Sequence, residues 1–158
     1  MSRDRMDCLT LATAMPDYFT VKGLVDMERD LRDCPFYVSV SGRELEGFAV
    51  VRLDPDSRVT DIRWMAVRAD KQRSGIGTAL IDRILRDSRS HGILLLRVET
   101  LSPLSSYSPY EKTRRFYEKV GFKQVRNMDY PNWDPGNPCA VYEKAVASAG
   151  WSDTTRAV

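Results

Sequence analysis

Ligands for a metal ion are scarce in this sequence. It has one histidine and three cysteines, which are far apart and form no Cys-x-x-Cys pair, whereas a structural zinc site needs four Cys or His ligands at recognisable spacings. We therefore expect no metal, and we expect Cys8, Cys34 and Cys139 to be buried free thiols in a reducing compartment. A cysteine nucleophile would have to use His91, whose place just before Gly92 is more typical of a helix end.

Long apolar runs and an excess of charge of one sign are also missing. No stretch approaches the roughly 18 to 20 apolar residues that span a bilayer, and the first residues, MSRDRMDC, lack the apolar core of a signal peptide. Lys and Arg total 24 against 22 Asp and Glu, a net charge of +2, which is too even for binding to a phosphate backbone. We expect a cytoplasmic protein that binds neither a membrane nor nucleic acid.

What the sequence does contain is the pattern of one α/β domain over residues 1–158. Apolar spacing and turn residues predict a strand near 8–14, a helix from its cap Thr20 to about 33, a hairpin of strands 36–41 and 45–53, and a strand at 58–67. They then predict a helix from 78 to a stop at Gly92, a strand at 93–98, a helix capped by Ser108 and running to 120, and strands at 122–129 and 139–145. The polar residues 146–158 are expected to form a frayed tail.

Two glycines lie in the connection between the strand at 58–67 and the next helix, in the stretch QRSGIGTAL at 72–80. A dinucleotide fingerprint would need a third glycine where Leu80 stands, and the Gly-Lys-Ser/Thr of a nucleotide P-loop is absent. The pattern fits a pyrophosphate cradle, in which backbone N–H groups and the positive end of the helix face the anion and a Cβ on the glycines would block its approach. A plain strand-to-helix turn is the alternative.

Two stretches together resemble the GNAT N-acetyltransferases. VRADKQRSGIGTAL (67–80) is similar to the acyl-CoA motif of that family, Arg/Gln-x-x-Gly-x-Gly/Ala, with Gln72, Gly75 and Gly77 at the matching places, and TRRFYEKVGF (113–122) is similar to its second motif. The resemblance covers about residues 7–145. It implies a mixed, mostly antiparallel sheet of six to seven strands, flanked by helices, with a V-shaped splay between the two central strands. The ending PNWDPGNPCAVYEKAV also resembles one branch of the family.

The resemblance implies acetyl-CoA as co-substrate. The backbone of the strand before the glycines would then bind pantetheine and the acetyl carbonyl, at Met65, Ala66 and Val67, and the loop would bind pyrophosphate, at Gln72, Arg73, Ser74, Gly75, Ile76, Gly77 and Thr78. Arg73, Arg114 and Lys71 are candidates for the CoA phosphates, or plain surface charges. The chain departs from the family at Tyr110 and Thr113, where many members have Asn and Ala.

Acetyl transfer to an amine needs a base, because an alkylammonium ion cannot attack. By resemblance, Asp61 lies where the histone-acetylating branch has its base, with Glu99 as the rival and a solvent-facing carboxylate as the alternative reading of Asp61. Tyr117 maps onto the family's general acid, with a core aromatic as its alternative. The implied reaction is direct transfer to a primary amine of a small molecule or peptide in a ternary complex. A non-catalytic acyl-CoA sensor and a plain interaction module remain as alternatives.

The acceptor is expected between the first helix and the loop at 129–138. Side chains that could line its pocket combine an acid with aromatic rings, which suits a cation: Asp17, Tyr18, Phe19, Trp64 and Trp133. As partners we expect acetyl-CoA and an amine acceptor, and a homodimer is left open.

Overall fold

The computed structural model describes residues 2–128 and 137–147. Helices and strands follow in the order α1 (Arg3–Thr13), α2 (Val21–Asp33), β1 (Phe36–Ser41), β2 (Glu44–Asp54), β3 (Val59–Val67), a 3-10 turn (Ala69–Lys71), α3 (Ile76–Ser90), β4 (Leu95–Leu101), α4 (Tyr110–Lys119), β5 (Lys123–Met128) and β6 (Cys139–Ala145). The predicted tail beyond residue 147 lies outside the described residues. No helix within the described ranges is both long enough and apolar enough to cross a bilayer.

The strand predicted near 8–14 is wrong, because this segment belongs to helix α1. Cys8, Leu11 and Ala12 are its buried residues, and their spacing of three and four places them on one helical face. The alternation of apolar and polar residues in the sequence CLTLAT suggested a strand, but packing against α2 and β2 selects the helix. Of the three cysteines, Cys8 and Cys139 are buried, whereas Cys34 is only half-buried.

Two predicted helix caps have different outcomes. Thr20 does cap α2, since its hydroxyl oxygen accepts a hydrogen bond from the Gly23 amide at 3.1 Å. The predicted hydroxyl cap at Ser108 is not formed in that way: the Glu111 amide donates to the Ser108 carbonyl oxygen at 3.0 Å, and α4 begins at Tyr110. Helix α3 begins two residues earlier than predicted, at Ile76.

The described strands form one sheet in the order β1-β2-β3-β4-β6-β5, in which β3 and β4 are the parallel pair. Their ladder extends only from Val59–Leu95 to Ile62–Val98, although β3 continues to Val67 and β4 to Leu101. The two central strands therefore separate after four residue pairs. This mixed, mostly antiparallel sheet with a splay at its centre confirms the predicted fold class.

Each face of the sheet carries its own core. On one face α3 and α4 cover a cluster that includes Ile62, Ile81, Tyr117 and Phe122. On the other, α1 and α2 cover a cluster that includes Met27 and Phe48. The separation of β3 and β4 lies between these two layers, so a molecule in the gap can touch both.

Candidate active site

A cleft of about 470 Å³ opens where β3 and β4 separate. Its walls are the α1–α2 loop, β3, the loop at 72–78 that contains Gly75 and Gly77 (the glycine loop), β4 and α4. Met65 and Phe116 in its lining pack on the α3–α4 core, whereas Phe19 and Trp64 pack on the α1–α2 core. The cleft therefore reaches both faces of the sheet.

Basic side chains gather where the glycine loop and α4 border the cleft. We call them the basic rim: Lys71, Arg73, Lys112, Arg115 and Lys119. Lys71 is paired with Glu46 and Arg115 with Glu111. Glu99 is the one carboxylate among the described residues that line the cleft, and it comes from β4. The rim is thus suited to a ligand that carries several negative charges.

The backbone of the glycine loop turns sharply at the start of α3. Gly75 has φ +85° and Arg73 has φ +65°. Both residues are therefore in the left-handed region, which glycine adopts at least cost. Space is open where a Cβ of Gly75 would lie. The first amides of α3 have no acceptor within their own helix and, with the helix dipole, favour an anion.

Gly77 has a packing role in addition to the phosphate approach predicted for it, which stays a prediction. A Cβ at this position would lie 2.9 Å from two atoms of the Phe116 ring, which is too close for a carbon–carbon contact. The missing side chain thus allows α3 to pack beside α4, and a bulky residue here would disturb that packing as well as any bound phosphate.

Most residues predicted to bind the donor come together in the cleft. The lining includes Met65, Ala66, Val67, Gln72, Arg73, Gly75, Ile76, Gly77 and Thr78. Ser74 and Arg114 are not part of it: the Ser74 hydroxyl donates to the Lys71 carbonyl oxygen, and Arg114 donates to the Leu101 carbonyl oxygen at 3.0 Å. Lys112, Arg115 and Lys119 were missed, although a spacing of three and four along α4 could have shown their common face.

Tyr117 is buried beside the gap between the strands. Only 5% of the residue is exposed, its ring packs edge-on against Phe116 and Phe122, and its hydroxyl lies 3.9 Å from the Met65 sulfur. Burial raises the pKa of Tyr117 above its ordinary value, because ionisation would place a charge among apolar groups. The phenol is therefore a neutral hydrogen-bond donor whose present partner is a weak acceptor.

The two candidate bases lie on the same face of the sheet but in different surroundings. Glu99 is exposed and lines the cleft. Asp61 is paired with Arg97, whose nitrogen lies 3.9 Å away, and it is not part of the cleft lining. Partial burial raises the pKa of Asp61, with the Arg97 charge opposing that shift.

A bulge in β3 directs two successive side chains to one face. Val50 pairs with Trp64 and Val51 with Ile62, so Arg63 is the extra residue. Both Arg63 and Trp64 then reach buried Asp30 of α2: the indole N–H donates to Asp30 Oδ2 at 2.8 Å, and Arg63 Nε donates to the same oxygen at 3.2 Å. The Trp64 ring is thereby held against the cleft.

Tyrosines join the α1–α2 loop to the start of α4 and to the segment just before it. The Tyr110 hydroxyl donates to the Tyr18 carbonyl oxygen at 2.7 Å, and the Tyr107 hydroxyl donates to that of Asp17 at 2.8 Å. The rings of Tyr18 and Tyr110 are 5.5 Å apart and both line the cleft. Asp17 is not part of the lining, and Trp133 lies outside the described residues.

Thr100 presents an unusual hydroxyl on the wall that β4 provides. Only 3% of the residue is exposed, and within the described ranges its Oγ1 is the buried side-chain polar atom that has no hydrogen-bond partner. Thr100 lines the cleft and shares a face with Val98 by strand alternation. An unpaired buried hydroxyl is costly, and a bound molecule in the gap would remove that cost.

The comparisons agree with this geometry. The sequence model of the acetyltransferase (GNAT) domain matches residues 32–124. A crystal structure of a protein assigned to the GNAT acetyltransferases, from Desulfovibrio desulfuricans, has a TM-score of 0.81 at 24% identity and covers 93% of this chain and 95% of that chain. Ard1 from Thermoplasma volcanium has a TM-score of 0.71 at 25% identity over 94% of this chain and 95% of its own. An aminoglycoside 6'-N-acetyltransferase, solved with coenzyme A, has a TM-score of 0.71 at 18% identity over 95% and 97%.

The split sheet, the glycine loop before α3 and the basic rim define a fold of the acetyltransferase class. Because the family model matches more than half of the sequence, the chain belongs to the GNAT acetyltransferase family. None of the curated proteins matches it.

Proposed function

We propose that this protein transfers the acetyl group of acetyl-CoA to a primary amine of a small molecule or peptide, by direct attack in a ternary complex. The observation that carries the proposal is a single cleft with a neutral buried phenol, Tyr117, on one face of the sheet and an exposed carboxylate, Glu99, on the other. An acid and a base on opposite sides of one reacting centre are what acyl transfer from a thioester to an ammonium ion requires.

The donor fits the basic rim and the free edge of β3. Phosphates are matched by the amides at the start of α3 and by Arg73 and the lysines of the rim. The edge of β3 from 63 to 67 faces the gap after its ladder with β4 has ended, so its backbone groups are available to an amide-bearing chain such as pantetheine. An N–H on this edge would also stabilise the oxyanion at the acetyl carbonyl.

The proposed proton transfers follow from the positions of Glu99 and Tyr117 on opposite faces of the sheet. Glu99 takes a proton from the ammonium ion, directly or through one water, and the free amine forms its bond to the acetyl carbon. The carbon–sulfur bond then breaks, Tyr117 gives its proton to the departing thiolate, and the second proton of the acylated nitrogen leaves to solvent, which returns a proton to the Tyr117 phenolate. We prefer Glu99 to Asp61 as the base because Glu99 lines the cleft and Asp61 does not.

A thermal-shift titration with acetyl-CoA, followed by thiol release with a set of primary amines, tests the proposal. We expect a rise in melting temperature that saturates with acetyl-CoA, and amine-dependent release of thiol. Binding without release would favour the alternative of an acyl-CoA sensor, and no response to acetyl-CoA would exclude both.

A further inference from the structure

The α1–α2 side of the cleft differs in chemistry from the basic rim. Aromatic and apolar side chains line it, and we call this set the aromatic wall: Met15, Tyr18, Phe19, Trp64 and Tyr110. Two pairs of rings lie within it, Phe19 with Trp64 at 6.4 Å between centroids and Tyr18 with Tyr110 at 5.5 Å. Such surfaces bind flat apolar groups through their ring faces and edges.

The aromatic wall is held in place by hydrogen bonds that do not involve its own faces. Asp30 fixes the Trp64 indole from α2, and the Tyr110 hydroxyl fixes the α1–α2 loop at Tyr18. Amphipathic rings whose polar atoms are already paired offer only their apolar surfaces to the cleft. The second of these contacts also joins the α1–α2 loop to the start of α4, so the two rings Tyr18 and Tyr110 are fixed relative to each other.

Two charged side chains line the cleft on the same side: Arg63, which is paired with buried Asp30, and Glu99. Leu96 and Val98 of β4 face the α3–α4 core, so strand alternation turns Glu99 to the α1–α2 face, where the aromatic wall lies. A carboxylate beside aromatic rings favours an ammonium group joined to an apolar body.

From this arrangement we infer that the acceptor is a small primary amine with a flat, aromatic body, an arylalkylamine rather than a peptide or a polyhydroxylated sugar amine. The inference rests on the proposed acetyl transfer and names its substrate class. The ammonium group meets Glu99, and the ring lies against Tyr18 and Trp64.

Four amines of stated chemistry test the inference: phenethylamine, ethanolamine, kanamycin and a hexapeptide with a free N-terminus. With saturating acetyl-CoA, thiol release should give a kcat/KM for phenethylamine at least tenfold above that of ethanolamine, and higher than those of kanamycin and the peptide. Equal values, or a preference for one of the other three, would overturn the inference while leaving acetyl transfer intact. No thiol release with any of the four would count against the proposed function itself.

A matched pair of variants separates recognition from loop tethering. Tyr18→Ala removes a ring from the aromatic wall and should lower kcat/KM for phenethylamine at least tenfold, but that for ethanolamine less than threefold. Tyr107→Ala removes a tether to the same loop, and Tyr107 is not itself part of the cleft lining, although its ring packs on Tyr110 at 6.1 Å between centroids. This variant should change both values less than threefold. Equal losses for the two amines in Tyr18→Ala, or equal losses in the two variants, would overturn the inference.

Discussion

The hydroxyl of Tyr117 lies 3.9 Å from the sulfur of Met65, across the gap between α4 and β3. A thioether accepts hydrogen bonds weakly. The Tyr117 hydroxyl therefore loses little when the sulfur of a thioester takes the place of the Met65 sulfur as its acceptor. Tyr117→Phe keeps the ring packing and removes only the donor. We expect kcat to fall roughly ten- to a thousandfold, about 1.4 to 4 kcal/mol of barrier, with affinity for acetyl-CoA unchanged.

The control for Tyr117 is Tyr142→Phe. Tyr142 is also buried, but its hydroxyl donates to Gln124 and it does not line the cleft. Its activity should stay near that of the wild type. Full activity of Tyr117→Phe in steady-state thiol release would make Tyr117 a core aromatic only.

Neutralising each candidate base distinguishes their roles. Glu99→Gln should lower kcat/KM for the amine most strongly at low pH, where free amine is scarcest, because the missing base then limits the rate. Asp61→Asn should have a smaller effect, since Asp61 faces Arg97 outside the cleft lining. The measurement is kcat/KM for the amine as a function of pH, from pH 6 to 9. A larger effect in Asp61→Asn would return the role to Asp61.

The basic rim should govern affinity for the donor but not the chemical step. Lys112→Glu places a negative charge on the rim, and we expect its KM for acetyl-CoA to rise several-fold, with the difference shrinking at high salt because of screening. Arg83→Glu is the matched control, since Arg83 is an exposed base on α3 paired with Asp87 and away from the cleft lining. Equal changes in both variants would mean that overall charge, not the rim, determines affinity.

A buried pair of hydroxyls joins α3 to the sheet. Thr60 Oγ1 and Ser88 Oγ are 2.9 Å apart, and both residues are buried. Ser88→Ala leaves the Thr60 hydroxyl without its partner, at a cost of about 1–3 kcal/mol in the free energy of unfolding. Thr60→Val with Ser88→Ala should recover part of that loss, because both polar groups are then gone. Urea unfolding of the wild type, the two single variants and the double variant tests this. Strictly additive losses in the free energy of unfolding would contradict it.

Stability should decline in alkaline solution. Burial, with the neighbouring tyrosines Tyr107 and Tyr18, raises the pKa of Tyr110 from 10.0 to about 12. The unfolded chain then loses this proton at a lower pH than the folded chain, so the stabilisation is complete below pH 10 and is lost as the pH rises towards 12. Tyr110→Phe should show a shallower decline in urea unfolding between pH 9 and 11.5. Parallel declines would contradict this assignment.

Local patterns predicted most of the strands and helices because hairpins, caps and helical spacing depend on neighbouring residues. They failed at α1, where the alternation in CLTLAT is typical of a strand and only packing on α2 and β2 selects the helix. The burial of Asp30 depends on its contacts with Arg63 and Trp64, which are more than 30 positions away in the sequence. The sequence predicts a phosphate role for Gly77, but it does not show that Phe116 lies against this glycine.

The four-pair ladder between β3 and β4 divides the described strands into two three-stranded halves that are joined along one short seam. Beyond the seam, each half presents a strand end that lacks a neighbour in the sheet. A donor whose amide-bearing arm lies along β3 would take the place of a strand. The substrate would then be a temporary structural element, and release of its product would return the sheet to its divided state.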